Sequence, residues 1–173
     1  MLRDFNLLVT SARGNEEDAC SEIWYLLGSI GDENAKVEKT GITGLVAAKT
    51  VLNPFDAVQK LREILKERPQ EFRYALRIIP IEKVVRTDLD QIREALKELP
   101  SRIGENETFR VTVEKRFTTL STRDIIEVAA AKINRRVDLK RPDRIVLIEV
   151  VNGLTGVSLL RTNDLISIVK ERM

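Results

Sequence analysis

The sequence predicts an α+β protein built in two parts, and three observations carry that expectation. Apolar residues fill 43% of the 173 positions and charged residues 32%, the balance of a globular chain long enough to bury a sizeable core. The first half sets out strand, helix, strand, strand, helix and strand in that order. The second half follows another order, around one almost wholly apolar strand and an Asn-Gly hairpin turn.

Each element of the first half follows from its residues. Residues 5–11 read as a short buried strand, closed by the Arg13-Gly14-Asn15 turn. Asn15 is placed to cap a helix whose first turn carries Glu16, Glu17 and Asp18, acids that complement a helix N-terminus. Its expected apolar stripe is Ala19, Cys20, Ile23, Trp24 and Leu27, which makes Cys20 a core position rather than a reactive thiol. Residues 35–40 and 43–50 form paired strands around Gly41-Ile42-Thr43-Gly44. Asn53-Pro54 opens a second helix, with the cap residue followed by proline at the first helical position. Ala57, Val58, Leu61, Ile64 and Leu65 give that helix one apolar face. Phe72, Tyr74, Leu76 and Ile78 alternate as a strand ending near Pro80. This order of elements is the ferredoxin-like one.

In the second half, Thr87-x-x-Asp90 reads as a capping box before Leu89, Ile92, Leu96 and Leu99, and Pro100 and Gly104 break the helix. Phe109, Val111 and Val113 alternate with Arg110, Thr112 and Glu114 in a half-buried strand. Ser121-x-x-Asp124 is a second capping box, with Ile125, Ile126, Ala129 and Ile133 expected inward. Residues 145–151 are apolar apart from Glu149, as in a strand buried on both faces, and Asn152-Gly153 turns into a return strand, 154–160. A last helix is expected after Asn163. The boundary falls within 81–87 without a low-complexity linker, giving domains 1–84 and 85–173 that are expected to pack rigidly.

Composition closes off much chemistry. With no histidine the chain supplies no imidazole base, Ser-His-Asp triad or histidine metal site. One cysteine excludes a disulfide framework and cysteine-rich zinc clusters. Among the eight glycines no Gly-x-Gly or Gly-x-Ala occurs, and there is no Walker lysine motif, so neither a dinucleotide nor an acyl-coenzyme-A pyrophosphate loop is visible. Gly41-Ile42-Thr43-Gly44 matches the GxxG loop of KH domains, but a tight turn between two strands explains it more simply. Acid pairs such as Glu16/Glu17 and Asp88/Asp90 lie at helix starts and read as caps rather than general acids and bases. No cofactor, metal or catalytic site is therefore expected. No run approaches 18 apolar residues and the first residues turn charged at once, which suggests a soluble, cytoplasmic protein with no membrane partner.

Net charge is only +2, yet residues 110–144 carry ten basic side chains against five acidic ones. Lys115-Arg116-Phe117-Thr118-Thr119-Leu120-Ser121-Thr122-Arg123 joins cations to an expected helix start, where backbone amides also face a phosphate. A solvated surface helix accounts for the same count, since Lys132, Arg135 and Arg136 sit where cations complement a helix C-terminus. Most of the eight aromatics lie in apolar patterns, with Tyr25 the exception, so phosphate and shape rather than base stacking are expected to dominate any RNA binding.

Residues 109–117, then Ser121-Thr122-Arg123-Asp124-Ile125-Ile126, then Val137-Asp138-Leu139-Lys140-Arg141-Pro142-Asp143 and the apolar strand after them resemble the THUMP domain, an RNA-binding module of tRNA-modifying proteins. Upstream, residues 7–16 and Arg77-Ile78-Ile79-Pro80-Ile81 are similar to the other half of one subgroup, the stand-alone THUMP proteins that act as adaptors for tRNA acetylcytidine formation. The resemblance implies an N-terminal ferredoxin-like domain packed on a C-terminal THUMP α/β domain, together gripping the acceptor stem and CCA end of tRNA. It also implies a separate acetyltransferase that modifies a cytidine of the D arm. Carried over by position, the RNA-binding residues fall on Lys115, Arg116, Thr119, Ser121, Thr122 and Arg123, with Lys140 and Arg141 from the second block. Asp138 and Pro142 are read as shaping their loop, and Arg13 and Arg77 are the candidates in the first domain. The chain runs only about ten residues past its last expected strand, which leaves no room for the catalytic domain many THUMP proteins carry and favours an adaptor. Two other readings stay open: a tRNA acetyltransferase that itself uses acetyl-coenzyme A, and a ferredoxin-like regulatory module that binds no RNA.

Overall fold

The computed structural model describes residues 1–172, which divide into two compact units, Met1–Ile81 with the segment from Asn163 onward, and Glu82–Thr162. The first unit runs β1 (Leu7–Ser11), α1 (Glu16–Ser29), β2 (Lys36–Lys39), β3 (Leu45–Lys49), α2 (Pro54–Glu67) and β4 (Ala75–Pro80), in the order expected. Its strands lie as β2-β3-β1-β4, antiparallel throughout. Leu7, Val9, Val46, Ala48 and Ile78 pack in one core cluster with Ala19, Ile23, Leu26 and Leu27 of α1 and Val58, Leu61, Ile64 and Leu65 of α2. Asn53 caps α2 as expected, its side chain accepting from the N–H groups of Phe55 and Asp56. Glu22 ties α1 to the entry of β4 by accepting from the backbone N–H groups of Arg73, Tyr74 and Ala75, at 2.7 to 3.2 Å.

Several local expectations are corrected. Asn15 makes no side-chain cap; instead the Glu16 carboxylate accepts from Gly14 N–H at 2.8 Å. The stripe of α1 is rotated, with Leu26 buried and Trp24 exposed. Counting about 100° per residue from Ile23, Leu26 falls roughly 60° away and Trp24 roughly 100°, so Leu26 fits the buried arc better. Cys20 is half-buried against the core, and desolvation pushes its thiol pKa up. In β4 the register shifts between Thr10 and Ser11 of its partner, so Leu76 is an extra residue and turns outward.

The second unit runs β5 (Lys83–Arg86), α3 (Leu89–Leu96), α4 (Leu99–Arg102), β6 (Phe109–Arg116), α5 (Thr122–Ala130), β7 (Arg144–Val151) and β8 (Leu154–Leu160). The sheet order is β5-β8-β7-β6, with β6 and β7 parallel and the other pairs antiparallel. β5 falls where the sequence shows only a boundary. It is four residues long and its pairing is made by backbone, which hydrophobic patterning does not report. Asp88 rather than Thr87 caps α3, because the Thr87 hydroxyl is donated to Asn152 O. Pro100 starts a short helix instead of ending one, a place where its missing N–H costs nothing. Ser121 caps α5 by accepting from Asp124 N–H at 3.0 Å, and Ile125 and Ala129 are buried while Ile126 turns out. β7 is buried on both faces, as expected, and Asn152, at φ 57°, makes the turn into β8.

The polypeptide then returns to the first unit. β9 (Ile166–Ser167) pairs with β4 and extends the first sheet to β2-β3-β1-β4-β9, followed by α6 (Ile168–Glu171). The second domain read from sequence ran through residue 173, whereas residues from Asn163 onward belong to the first unit. Arg62 of α2 fastens the returning segment, donating to Leu165 O and pairing with Glu171.

Two charged contacts inside the second unit have measurable consequences. Arg116 reaches across to Glu149, 3.6 Å away and fully buried on β7. Removing Arg116 takes a counter-charge away from a buried carboxylate, so Arg116→Ala is expected to cost about 3 kcal/mol in urea unfolding, and the double change Arg116→Met with Glu149→Leu less. Glu107 accepts from Gly104 N–H and pairs with Arg161, which holds its carboxyl down at about 2 from an ordinary 4.5. A depressed carboxylate pKa stabilises above the unfolded value and stops doing so as the pH falls through the folded one. Urea midpoints are therefore expected to drop between about pH 4.5 and 2, and Glu107→Gln to flatten that drop.

Candidate nucleic-acid interface

Phe109, Val111 and Val113 alternate along β6 toward the core shared with Ile125 and Ala129 of α5. Lys115 continues that row beyond the core, and its ammonium donates to Leu120 O at 3.1 Å, bracing the loop that leads into α5. Phe117 follows β6 with φ 59°, a left-handed backbone that bulky residues seldom adopt, and its ring is 76% exposed. Thr118 accepts from Leu120 N–H, and Ser121 then caps the helix. The first N–H groups of a helix have no intrahelical acceptor, so those of Thr122 and Arg123 point out of the same end. Arg123 is exposed beside them, with its guanidinium on Glu127 at 3.1 Å.

One short stretch therefore brings together Lys115, Phe117, Thr119, Ser121, Thr122 and Arg123, all exposed. Arg116, expected among them, faces the other way into its pair with Glu149. Lys140 and Arg141 lie at the opposite end of β6, where Val137 bridges to Phe109 and Arg110 donates to Leu139 O. The strand separating the two groups is about 23 Å long at roughly 3.3 Å per residue. Asp138 shapes that second loop by accepting from the N–H groups of Lys140 and Arg141, which lowers its carboxyl pKa. Arg13 is exposed in the turn after β1, and Arg77 is half-buried on β4 opposite Thr10 and Ser167.

Charge open to a phosphate is smaller than the basic count of residues 110–144. Arg135 donates to the carbonyls of Ile103, Gly104 and Asn134, and Arg144 is buried against Arg102 O and Glu107. Together with Arg116 these cations are bound into the fold. Phe117 was missed in the sequence because it continues the odd-numbered row of core positions. The strand ends one residue earlier, and that frees the ring.

The GxxG segment is a turn. Gly41 and Gly44 have φ of +85° and +73°, and a side chain on Gly44 would meet Ser11 O at 2.8 Å. The cleft beside it, about 460 Å³, is rimmed by Glu16, Glu17 and Asp18, with Lys39 paired to Glu17, a net acidic lining that repels phosphate. Among the described residues no helix is long and apolar enough to cross a membrane, and no group of three or more His, Cys, Asp or Glu is placed to hold a metal ion.

The chain is 30% identical over 135 residues to MJ0421 of Methanocaldococcus jannaschii, an alignment covering 75% of this chain and 34% of that protein. The chain thus spans about a third of that relative. Its fold is similar to PH1313 from Pyrococcus horikoshii, with a TM-score of 0.67 and 18% identity, over 91% of this chain and 55% of the other. It is also similar to TrmN from Thermus thermophilus (TM-score 0.56, 16% identity, 90% and 45% covered). A 4-thiouridine synthetase solved with RNA and ATP is a further neighbour (TM-score 0.53, 14% identity, 91% and 42% covered). The THUMP family profile matches residues 86–160, from the last residue of β5 to the end of β8. The second unit of this chain therefore carries a THUMP domain.

Proposed function

We propose that this protein is a non-catalytic tRNA-binding adaptor that holds the acceptor stem and CCA end while a separate acetyltransferase forms acetylcytidine in the D arm. The observation that carries this reading is the convergence at the β6–α5 junction of Lys115, Arg123, two outward helix amides and an exposed ring. Cations and amides suit the phosphates of the acceptor stem, and Phe117 offers a stacking surface to an unpaired base of the single-stranded end. A THUMP domain and a fold neighbour solved with RNA support RNA as the ligand class. In this reading the first unit is a ferredoxin-like domain that contributes Arg13 and Arg77, and Lys140 and Arg141 form a second phosphate contact one strand length away.

Four measurements test it. The double variant Lys115→Ala with Arg123→Ala is expected to weaken tRNA binding and to lower the slope of log affinity against log salt by about two, one for each phosphate no longer neutralised. Arg116 is left intact in that variant, because its loss would act through stability. Phe117→Leu is expected to weaken binding of intact tRNA roughly tenfold, to leave tRNA lacking its CCA end unaffected, and to keep the salt slope. Reconstitution of tRNA and the acetyltransferase with and without this chain decides the adaptor role. Acetylation independent of the chain, or tight acetyl-coenzyme A binding by the chain alone in calorimetry, overturns it.

A further inference from the structure

Helix α1 presents an exposed face of the opposite character. Between Arg13 and Lys36 the sequence holds no lysine or arginine but six acids, Glu16, Glu17, Asp18, Glu22, Asp32 and Glu33. Some have internal duties, Glu22 at the backbone of β4 and Asp32 at Thr50 and Val51. Asp18, in the first turn of the helix, and Glu33, just beyond its end, are exposed. Between them stand Trp24 and Tyr25, 59% and 54% exposed, where a soluble surface rarely leaves two adjacent large aromatics bare. Tyr25 is held in place by donating its hydroxyl to Glu71, which in turn takes Arg68.

A groove of about 350 Å³ runs past both rings, with Gly28 on its wall and Asp32 and Glu33 at its end. A Cβ on Gly28 would meet nothing within 4 Å, so the fold does not need glycine there. Within a helix glycine is less stable than alanine, and here its missing side chain keeps the groove open. Arg68 beside Tyr25 is paired with Glu71, and the exposed carboxylates of Asp18 and Glu33 repel a phosphate backbone, whereas fixed aromatics in an open groove are the anchors of protein interfaces. We infer that the α1 face of Trp24, Tyr25 and Gly28 docks a cationic amphipathic helix of a partner protein. That helix seats an apolar side chain on Gly28 and sets lysines or arginines against Asp18 and Glu33. The inference stands independently of the RNA contacts proposed at the β6–α5 junction, which lies in the other unit.

Trp24 is the sole tryptophan, so its emission reports on this face alone. The full chain is titrated with a synthetic amphipathic helix of leucine and lysine, with its leucine–glutamate counterpart, and with tRNA. A saturable blue shift with the lysine peptide is expected, and none with the glutamate peptide or with tRNA. Asp18→Lys with Glu33→Lys is expected to weaken the lysine peptide roughly tenfold. Gly28→Leu fills the groove without touching a charge and is expected to do the same while the melting temperature holds. No shift with the lysine peptide, equal binding of the glutamate peptide, or full affinity in the charge-reversed or filled variant overturns the inference. A shift driven by tRNA overturns it too, and makes the face an RNA surface; the Lys115/Arg123 variant measured alongside shows separately whether tRNA binds at the β6–α5 junction.

Discussion

Parallel pairing of β6 with β7 is the constraint from which the candidate interface follows. Parallel neighbours cannot be joined by a tight turn, so the chain must leave the end of β6, cross the sheet and re-enter at the start of β7. The crossing is made by α5, which returns its apolar side to the sheet through Ile125 and Ala129. A strand end and a helix beginning are thereby forced into one exposed corner, with five residues to reverse direction between them. Everything proposed to meet RNA at that corner, from the Lys115 ammonium to the Arg123 side chain, owes its position to this connection. The loop holding Lys140 and Arg141 is the other half of the same crossover, where the chain arrives at β7.

Each unit holds a local excess of charge, of opposite sign in the two. In the second, cations have two kinds of work: Arg116, Arg135 and Arg144 satisfy buried or orphaned acceptors, and the remainder face water. In the first, residues 14–35 around α1 hold six acids and no lysine or arginine, and the helix carries bare aromatic rings. A near-neutral total hides this separation, because opposite local excesses cancel in the sum. Two surfaces of such different chemistry suit two different classes of ligand.

What the sequence revealed follows physical range. Helices with strong caps were legible to the residue, as at Asn53-Pro54 and Ser121, because a cap is a contact between near neighbours. The Asn152-Gly153 hairpin and the doubly buried β7 were legible for the same reason. Trp24 and Phe117 were not, since both continue an apolar period and only the packed sheet or helix decides where burial stops. The role of Arg116 was hidden because its partner lies on a strand thirty-three positions away. β9 could not be read at all: two residues carry no period, and their pairing with β4 is a long-range event.

That last pairing makes the THUMP-bearing unit an insertion within the first sheet. The chain leaves β4 at Ile81 and pairs with β4 again only at Ile166. A ribosome delivers β1 to β4 first, so the outer edge of β4 stays unpaired while the whole second unit is being made. Such an edge is a template for stray strands from other chains. The nascent protein thus passes through a stage in which its first sheet is assembled but unguarded, until Ile166 and Ser167, made after the second unit, seal it.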